Sequence, residues 1–195
     1  IDHVLANKLN VNILVLDTEV YSNTGGQASK STRTGAVAKF AAGGKEVAKK
    51  NLAKMALSYP HVYVGTISLG ANQMQTIKVM KEAEAYDGPS IIIAYAPCIA
   101  HGILKGMKNA IAEEKEATAS GYFPLFHYNP QNREFKLDSK ADFTKFEEFI
   151  LGEDRYRSLN KINKNGDALL NKNREEAENT YNYYEALANA NNENN

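Results

Sequence analysis

A short apolar run that passes directly into a polar, glycine-containing loop constrains the fold of this chain most. Residues 11–16 read Val-Asn-Ile-Leu-Val-Leu, and residues 17–27 continue as Asp-Thr-Glu-Val-Tyr-Ser-Asn-Thr-Gly-Gly-Gln. Such a run is typical of a strand covered on both faces, as in a parallel sheet, where ligands bind outside the carboxyl ends of the strands. We therefore predict a buried strand at residues 11–16 and a binding loop at residues 17–27.

The residue types of this loop suit a ligand, but they also suit an ordinary turn. Gly25 and Gly26 permit positive φ angles and close approach of the backbone. The threonine, serine and asparagine oxygens could coordinate a hard cation or bind a diphosphate. Because the same composition is common in turns, composition alone leaves both interpretations open. A phosphate-binding P-loop is excluded, since its spacing would need glycine at Thr24 and Ser29.

Apolar runs and helical periodicities alternate along the chain after this loop. The predicted strands are residues 62–67 and 90–95, and the predicted helices lie within residues 52–59, 72–83 and 97–111. Asn72 is the expected N-cap of the second of these helices. The side chains expected to face the core are Met74, Ile77, Met80 and Ala83 in the second helix and Leu104, Met107, Ala110 and Ile111 in the third. The alternation predicts an α/β fold, a three-layer sandwich with a mainly parallel sheet.

The residue patterns at the two ends of the chain differ from the strand–helix alternation in its middle. Residues 1–9 carry a helical apolar stripe with neither a cap nor an initiating methionine, so the chain looks cut inside a helix. Beyond residue 121 we expect a two-stranded excursion, a short phenylalanine-rich helix ending at Gly152, and a long polar helix capped by Asp167. Its narrow apolar stripe must lie on the body or on a neighbouring subunit. The predicted units are an α/β domain (1–138), a helical arm (139–188) and a disordered tail (189–195).

Composition excludes several classes of protein. The 195 residues contain 23 basic and 23 acidic side chains, so net charge implies no nucleic-acid or membrane-surface partner. No apolar run approaches the roughly 20 residues needed to span a bilayer. The single cysteine cannot form an internal disulfide, which fits a reducing, cytoplasmic location.

The sequence of the loop resembles that of one enzyme family. Residues 17–32, followed by Thr-Gly-Ala-Val-Ala-Lys-Phe at residues 34–40, are similar to the thiamine-diphosphate domain of pyruvate:ferredoxin (flavodoxin) oxidoreductases. The resemblance extends over residues 1–138, and includes Ala-Tyr-Ala-Pro-Cys-Ile-Ala-His-Gly from residue 94 and Ser-Gly-Tyr-Phe-Pro-Leu-Phe from residue 120. The family usually has proline where Arg33 stands, which puts the stiffness of the loop's exit in question. An upstream Gly-Asp-Gly motif of the family is absent, so the chain is expected to be a C-terminal fragment.

This resemblance implies roles for the first half of the loop. Thr18 would supply a side-chain oxygen, and Val20 a backbone carbonyl, to the magnesium ion that anchors the diphosphate. The wall of the cofactor pocket would comprise Thr18, Glu19, Val20, Tyr21, Ser22 and Asn23. The Asn23 amide would also approach the substrate as a catalytic residue and donate to developing charge. Glu19 is expected to be a loop residue only, because the glutamate that activates thiamine in this family comes from another domain.

Cys98 carries a second hypothesis. A lone cysteine is most often a small buried hydrophobe. In the family, however, a cysteine in this Tyr-Ala-x-Cys-Ile context is one ligand of a [4Fe-4S] cluster. Such clusters usually need four thiolates, so this chain should not hold one by itself. His101, three residues on, is expected to have a capping or surface role.

The resemblance implies that the parent enzyme decarboxylates pyruvate oxidatively. The products would be acetyl-coenzyme A and electrons, which pass through iron–sulfur clusters to ferredoxin or flavodoxin. Expected partners are the remaining domains of the parent chain and a second copy in a homodimer, and the isolated fragment should be inactive. Two alternatives stay open: part of an iron-free thiamine-dependent decarboxylase or transketolase, and a non-catalytic assembly module.

Overall fold

The computed structural model describes residues 1–193, with side chains described to residue 190. Within these residues, five strands form one sheet in the order β1-β5-β4-β6-β7, and β2 and β3 form a separate ribbon. The strands are β1 (Asn12–Asp17), β2 (Val20–Tyr21), β3 (Gln27–Ala28), β4 (Tyr63–Ile67), β5 (Ser90–Tyr95), β6 (Phe126–Asn129) and β7 (Glu134–Leu137). The helices are α1 (Asp2–Leu5), α2 (Leu52–Ala56), α3 (Gln73–Ala85), α4 (Ala110–Ala119), α5 (Phe146–Leu151), α6 (Asp154–Arg157), α7 (Leu159–Ile162) and α8 (Gly166–Glu193).

The predicted α/β fold is confirmed, with a parallel centre to the sheet. Strand β5 pairs in parallel with both β1 and β4, whereas β6 is antiparallel to β4 and β7 is antiparallel to β6. In the register of β1 with β5, Asp17 lies opposite Tyr95. The loop after β1 and the segment after β5 therefore both leave the sheet at the carboxyl ends of its parallel strands. Ligands bind at these ends in parallel sheets.

Strand β1 lies at the edge of the sheet, and the prediction that both its faces are buried is wrong. Ile13 and Val15 pack against the core, but Leu14 is 51% exposed and Leu16 is 64% exposed. An edge strand with helices on one face only alternates in burial, in the manner of a half-covered strand. The helix before it is also shorter than its apolar stripe predicts, since α1 ends at Leu5.

Helices cover both faces of the central strands, which confirms the three layers. On one face, Val79 and Ala83 of α3 pack against Tyr63 and Ile92. A Cβ on Gly65 would lie 2.5 Å from the Val79 side chain, so glycine lets α3 approach the sheet closely. The opposite face carries the larger core, to which α2, α4 and α8 contribute Ala53, Ala56, Ala117, Ala177 and Tyr184.

The predicted core faces of two helices are wrong. Asn72 does cap α3, where its side chain accepts a hydrogen bond from the amide of Gln75, but the buried face of that helix is Gln75, Val79 and Ala83. Three of the four residues expected in the core are exposed: Met74, Ile77 and Met80. The buried row is spaced strictly by four residues and begins with the polar Gln75, so the apolar pattern alone points to the wrong face.

The predicted helix after Pro97 is interrupted. Two short 3₁₀ turns, Ile99–His101 and Met107–Asn109, precede α4. The interruptions lie at Gly102 and Gly106, which adopt positive φ angles of 66° and 83°. As a result, the residues expected to face inward are instead half-buried (Ala110) or exposed (Leu104, Met107 and Ile111).

The C-terminal third packs on the body of the molecule. The two-stranded excursion is present as the β6–β7 hairpin, and the Phe126 ring lies 4.3 Å from the ring of Tyr184 on α8. The domain and the arm thus share one core, and the boundary at residue 138 stays a prediction. Helix α8 continues to Glu193, so the expected disorder does not begin at residue 189, and the last two residues lie outside those described. None of the helices in residues 1–193 is long and apolar enough to cross a membrane.

Candidate functional site

A cleft of about 670 Å³ opens beside the carboxyl end of β1. Its walls come from the β1–β2 loop, from residues 29–33 and 48–53, and from α8. Four of the six residues predicted to form a cofactor pocket line this cleft: Thr18, Glu19, Val20 and Tyr21. The cleft is thus bordered by the part of the chain that sequence analysis identified as a binding loop.

The two oxygens predicted to bind magnesium lie next to each other. The Thr18 hydroxyl donates to the Val20 carbonyl over 3.0 Å. Adjacent ligands of an octahedral Mg²⁺ with bonds of about 2.1 Å are separated by ~3 Å, so this spacing suits two neighbouring corners of such a site. Within residues 1–193, no group of three or more His, Cys, Asp or Glu side chains could hold a metal ion. The oxygen pair fits a hard cation as part of a ligand set and not as a complete one.

The second half of the loop is a tight turn that projects from the cleft. The Gly25 amide donates to the Ser22 carbonyl and the Gly26 amide to the Tyr21 carbonyl, with positive φ angles at both glycines. Ser22 and Asn23 are exposed at its tip and do not line the cleft. The structure therefore separates the six predicted pocket residues into a cleft-lining group of four and an exposed pair.

Glu19 is fully buried, although it was predicted to be a loop residue only. Its carboxylate accepts hydrogen bonds from the Tyr122 hydroxyl at 2.7 Å and from the Arg155 guanidinium at 2.8 Å. Lys49 Nζ and Arg33 Nε lie 3.3 Å and 3.4 Å from its other oxygen. The prediction missed this role because the partners lie up to 136 residues away in sequence and leave no local pattern.

The residues that surround Glu19 form what we call the loop cluster. Its members are Asp17, Glu19, Arg33, Lys49, His101, Tyr122, Glu153, Arg155 and Tyr156. Burial alone would raise the pKa of the Glu19 carboxyl. The nearby cations outweigh burial and hold that pKa well below its usual value, with the largest contributions from Lys49 and Arg155. Glu19 is therefore a buried anion at neutral pH, compensated by cations from distant segments.

Lys49 joins Glu19 to the end of strand β1. Its ammonium donates to Asp17 Oδ2 at 2.6 Å and lies 3.3 Å from Glu19 Oε1. The other Asp17 oxygen accepts from the Ser31 hydroxyl at 2.6 Å and from the Glu19 amide at 3.1 Å. Asp17 was not among the predicted site residues. Its position directly after an apolar strand was the one local signal that could have identified it.

Arg33 fixes the exit of the loop. Its guanidinium lies 4.0 Å from the centre of the Tyr122 ring and donates to the Tyr122 carbonyl. With only 7% of its surface exposed, Arg33 ties the exit of the loop to the core. The contacts of the Arg33 side chain with Tyr122 thus hold the C-terminal end of the loop in place.

Cys98 lies on the turn after β5, beside the binding loop. Its thiol is free and half-buried, and it does not line the cleft. A Cβ on Gly26 would lie 3.2 Å from Ala100 on the same turn, so the two segments pack together. The Cys98 amide donates to Nδ1 of the buried His101 at 3.0 Å. His101 Nε2 faces Glu19 at 3.7 Å, so the capping role predicted for this histidine is accompanied by membership of the loop cluster.

Comparisons with known proteins give a consistent result. Residues 1–94 match the family model for the thiamine pyrophosphate enzyme, C-terminal TPP binding domain. The chain is 57% identical over 166 residues to pyruvate:ferredoxin oxidoreductase from Moorella thermoacetica, which is 83% of this chain and 14% of that protein. It is 49% identical over 194 residues to pyruvate-flavodoxin oxidoreductase from Klebsiella pneumoniae (96% and 17%).

One relative has a different acceptor in its name. The mitochondrial pyruvate dehydrogenase [NADP(+)] from Euglena gracilis is 51% identical over 175 residues, which is 87% of this chain and 10% of that protein. The chain thus spans only about 10 to 17% of the length of these curated relatives. The likeness covers most of this chain but a small part of each relative.

Proposed function

We propose, from the premise that the chain belongs to the pyruvate:ferredoxin (flavodoxin) oxidoreductase family, that it supplies half of a thiamine-diphosphate site. The complete protein would decarboxylate pyruvate oxidatively, with coenzyme A as acetyl acceptor and ferredoxin or flavodoxin as electron acceptor. The observation that carries this proposal is the pair of oxygens on Thr18 and Val20, 3.0 Å apart where the cleft borders the parallel sheet. Bound thiamine diphosphate would supply the carbanion chemistry that pyruvate decarboxylation requires.

Thr18 and Val20 would hold Mg²⁺ at two adjacent positions. Because the Thr18 hydroxyl now donates to the Val20 carbonyl, it would rotate its proton away so that both oxygens face the ion. Ligands from outside this chain and from the diphosphate would complete the oxygen shell. The exposed Asn23 amide is proposed as the catalytic donor to charge that develops on the substrate, and Glu19, Tyr21 and Ser22 as the wall of the pocket.

Cys98 is proposed as one thiolate ligand of a [4Fe-4S] cluster. Its half-buried, free thiol and its position beside the Gly26 turn support this assignment. Because the sequence has one cysteine, the other ligands would come from outside these 195 residues. The complete protein is proposed to be a homodimer. A cytoplasmic location is also proposed, in agreement with the unpaired thiol.

Thiamine-diphosphate binding by the full-length protein tests the magnesium assignment. Replacing Thr18 by alanine removes one of two adjacent oxygens, so the dissociation constant for thiamine diphosphate with Mg²⁺ should rise at least about tenfold in calorimetry. Thr24→Ala is the matched control, since Thr24 is exposed on the same loop and bonds to the Gln27 side chain instead of facing the cleft. Equal affinities in the two variants would contradict the assignment.

Iron content tests the role of Cys98 separately. Cys98→Ser in the full-length protein should lower the iron per chain by one cluster while leaving thiamine-diphosphate affinity unchanged. Ser120→Ala is the control, since it removes a small buried polar side chain from the residue that follows α4. A full complement of iron in Cys98→Ser would remove the cysteine from the cluster.

A further inference from the structure

The binding loop, residues 17–27, which we now call the cofactor loop, contains one residue with a fully buried side chain between two residues that line the cleft. Thr18 and Val20 both line the cleft with their two oxygens 3.0 Å apart, while the Glu19 side chain between them is fully buried. A buried carboxylate needs compensation by nearby cations and donors, because removal from water is costly. The chain segments that supply its partners are therefore the segments that the carboxylate links.

The partners of Glu19 come from five separate segments. They are Arg33 after the loop, Lys49 before α2, His101 on the turn that carries Cys98, Tyr122 after α4, and Arg155 on α6. Two of these contacts, to Tyr122 and Arg155, are direct hydrogen bonds to the same oxygen. A single carboxylate thus connects the cofactor loop with most of the surrounding structure.

The backbone at Glu19 adopts a conformation that depends on these contacts. Its φ angle is +58°, in the left-handed region that costs a non-glycine residue about 1–2 kcal/mol. The Glu19 carbonyl accepts hydrogen bonds from the hydroxyls of Ser29 and Thr32, and its amide donates to Asp17. With the amide, the carbonyl and the side chain all bonded, the peptide units on both sides have a fixed orientation. Those peptide units join Glu19 to Thr18 on one side and to Val20, the first residue of β2, on the other.

We propose that Glu19 is a positioning residue that sets the distance and direction of the Thr18 hydroxyl and the Val20 carbonyl for cation binding. This inference rests on the proposed function, in which Glu19 belongs to the wall of the pocket, and adds that the buried Glu19 carboxylate acts on the metal site through the loop backbone. The negatively charged side chain of Glu19 attaches the loop to Arg155 and Lys49 through ion pairs. Loss of that charge would release the loop from its anchor and move the two oxygens apart.

Glu153 provides a matched control within the chain. It is as buried as Glu19 and bonds to the same guanidinium, with Arg155 Nε 2.6 Å from its carboxylate. It lies between α5 and α6 and does not line the cleft. Glu153→Gln therefore replaces a second buried carboxyl on the same guanidinium without touching the cofactor loop. A purely structural role predicts the same behaviour for both glutamates.

The experiment compares Glu19→Gln and Glu153→Gln in the full-length protein. Melting temperature without cofactor measures the structural effect, and calorimetric titration with thiamine diphosphate and Mg²⁺ measures the positioning effect. Both variants should melt at lower temperature. Only Glu19→Gln should weaken cofactor binding, by about 10- to 100-fold, as expected when a partner behind a ligand is lost. In steady-state assays the same variant should raise the KM for thiamine diphosphate more than it lowers kcat.

Each outcome decides between the two roles. Equal cofactor affinities in Glu19→Gln and Glu153→Gln would overturn the inference while leaving the proposed function intact. A wild-type protein that binds no thiamine diphosphate would overturn the proposed function itself. If Glu19→Gln does not fold, Tyr122→Phe removes one donor to Glu19 with little change in volume. It should weaken cofactor binding several-fold, and unchanged binding would count against positioning.

Discussion

Two polar clusters lie on opposite faces of the sheet, and they differ in what they hold in place. The loop cluster gathers cations around Glu19 at the end of β1. The second, which we call the hairpin cluster, lies beneath α3 and consists of Tyr63, Gln75, Lys78, Glu82, His127 and Asp138. In it, Asp138 accepts from His127 Nδ1 at 2.7 Å and from Gln75 at 3.0 Å. One cluster fixes a loop beside a cleft, and the other fixes a helix and a hairpin to the sheet.

The two clusters also differ in their access to water. Arg155 and Glu19 have side chains at most 2% exposed, whereas Lys78 and Glu82 of the hairpin cluster are 45% and 30% exposed. Water can therefore solvate Lys78 or Glu82 when either loses its partner, whereas Glu19 and Arg155 are out of its reach. The comparison teaches that similar residue types tolerate change very differently on the two faces of one sheet.

The largest expected effect is the loss of Arg155. Arg155→Met keeps the side-chain volume but leaves Glu19 and Glu153 without their shared guanidinium. A buried charge pair broken on one side costs about 3–5 kcal/mol, and urea unfolding of the chain should show a loss of this size. A loss below about 1 kcal/mol would mean that the loop cluster is as tolerant as a surface pair, and the contrast between the clusters would fail.

Alkaline unfolding gives the next effect. Burial, partly opposed by Arg155, raises the pKa of Tyr156 to about 12, against about 10 for an exposed tyrosine. The folded chain holds this phenol proton more tightly than the unfolded chain does. Its stabilising contribution is therefore complete below pH ~10 and is lost as pH rises toward 12, by up to ~2.7 kcal/mol.

Tyr156→Phe should lose less stability across this pH range than the wild type does. The measurement is the free energy of unfolding from urea titrations at pH values across this range. Tyr21→Phe is a suitable control for the loss of a tyrosine hydroxyl, because Tyr21 is exposed on the cofactor loop. Parallel curves for wild type and Tyr156→Phe would show that this tyrosine is not titrating differently in the folded state.

A smaller effect is expected in the hairpin cluster. Asp138→Asn preserves the shape but replaces a charged acceptor of His127 and Gln75 with a neutral amide, which should cost about 1–2 kcal/mol. Calorimetry of the full-length protein should show unchanged thiamine-diphosphate affinity, because α3 and the hairpin do not border the cleft. A weakened cofactor site in this variant would break the separation of the two clusters.

The strands were predictable from sequence, whereas the clusters were not. Residues 62–67 and 90–95 are mostly apolar runs, and a buried strand leaves that signal in the sequence itself. The faces of α3 were assigned wrongly because Met74 and Ile77 are as apolar as Val79, and only the position of the sheet decides which of them is covered. The edge position of β1 likewise depends on which strands pair, and a single strand's residues do not encode pairing.

The candidate site shows the same limit. The loop after β1 could be located from its residue types, because a loop is local, but its interpretation as a binding loop depended on the resemblance of its sequence to one enzyme family. The role of Glu19 could not, since Lys49 is 30 residues away and Arg155 is 136 residues away. Ion pairs over such separations have no periodicity, and at the sequence level a buried glutamate looks like an exposed one. Burial and long-range pairing are thus the information that the fold adds.

The smallest expected effect serves as the baseline for the comparison. Arg174 and Glu178 form an exposed ion pair one turn apart on α8, with 2.9 Å between Arg174 Nε and the carboxylate. Such pairs contribute about 0.3–0.5 kcal/mol, because water competes for both charges. Arg174→Ala should therefore change the free energy of unfolding by no more than that in urea titrations.

The attachment of α8 to the body depends instead on buried side chains such as Ala177 and Tyr184. If Arg174→Ala cost as much as Asp138→Asn, burial would not be what separates strong from weak ionic contacts in this protein. The low cost expected here makes the cost expected for Arg155 attributable to enclosure and not to the loss of an arginine.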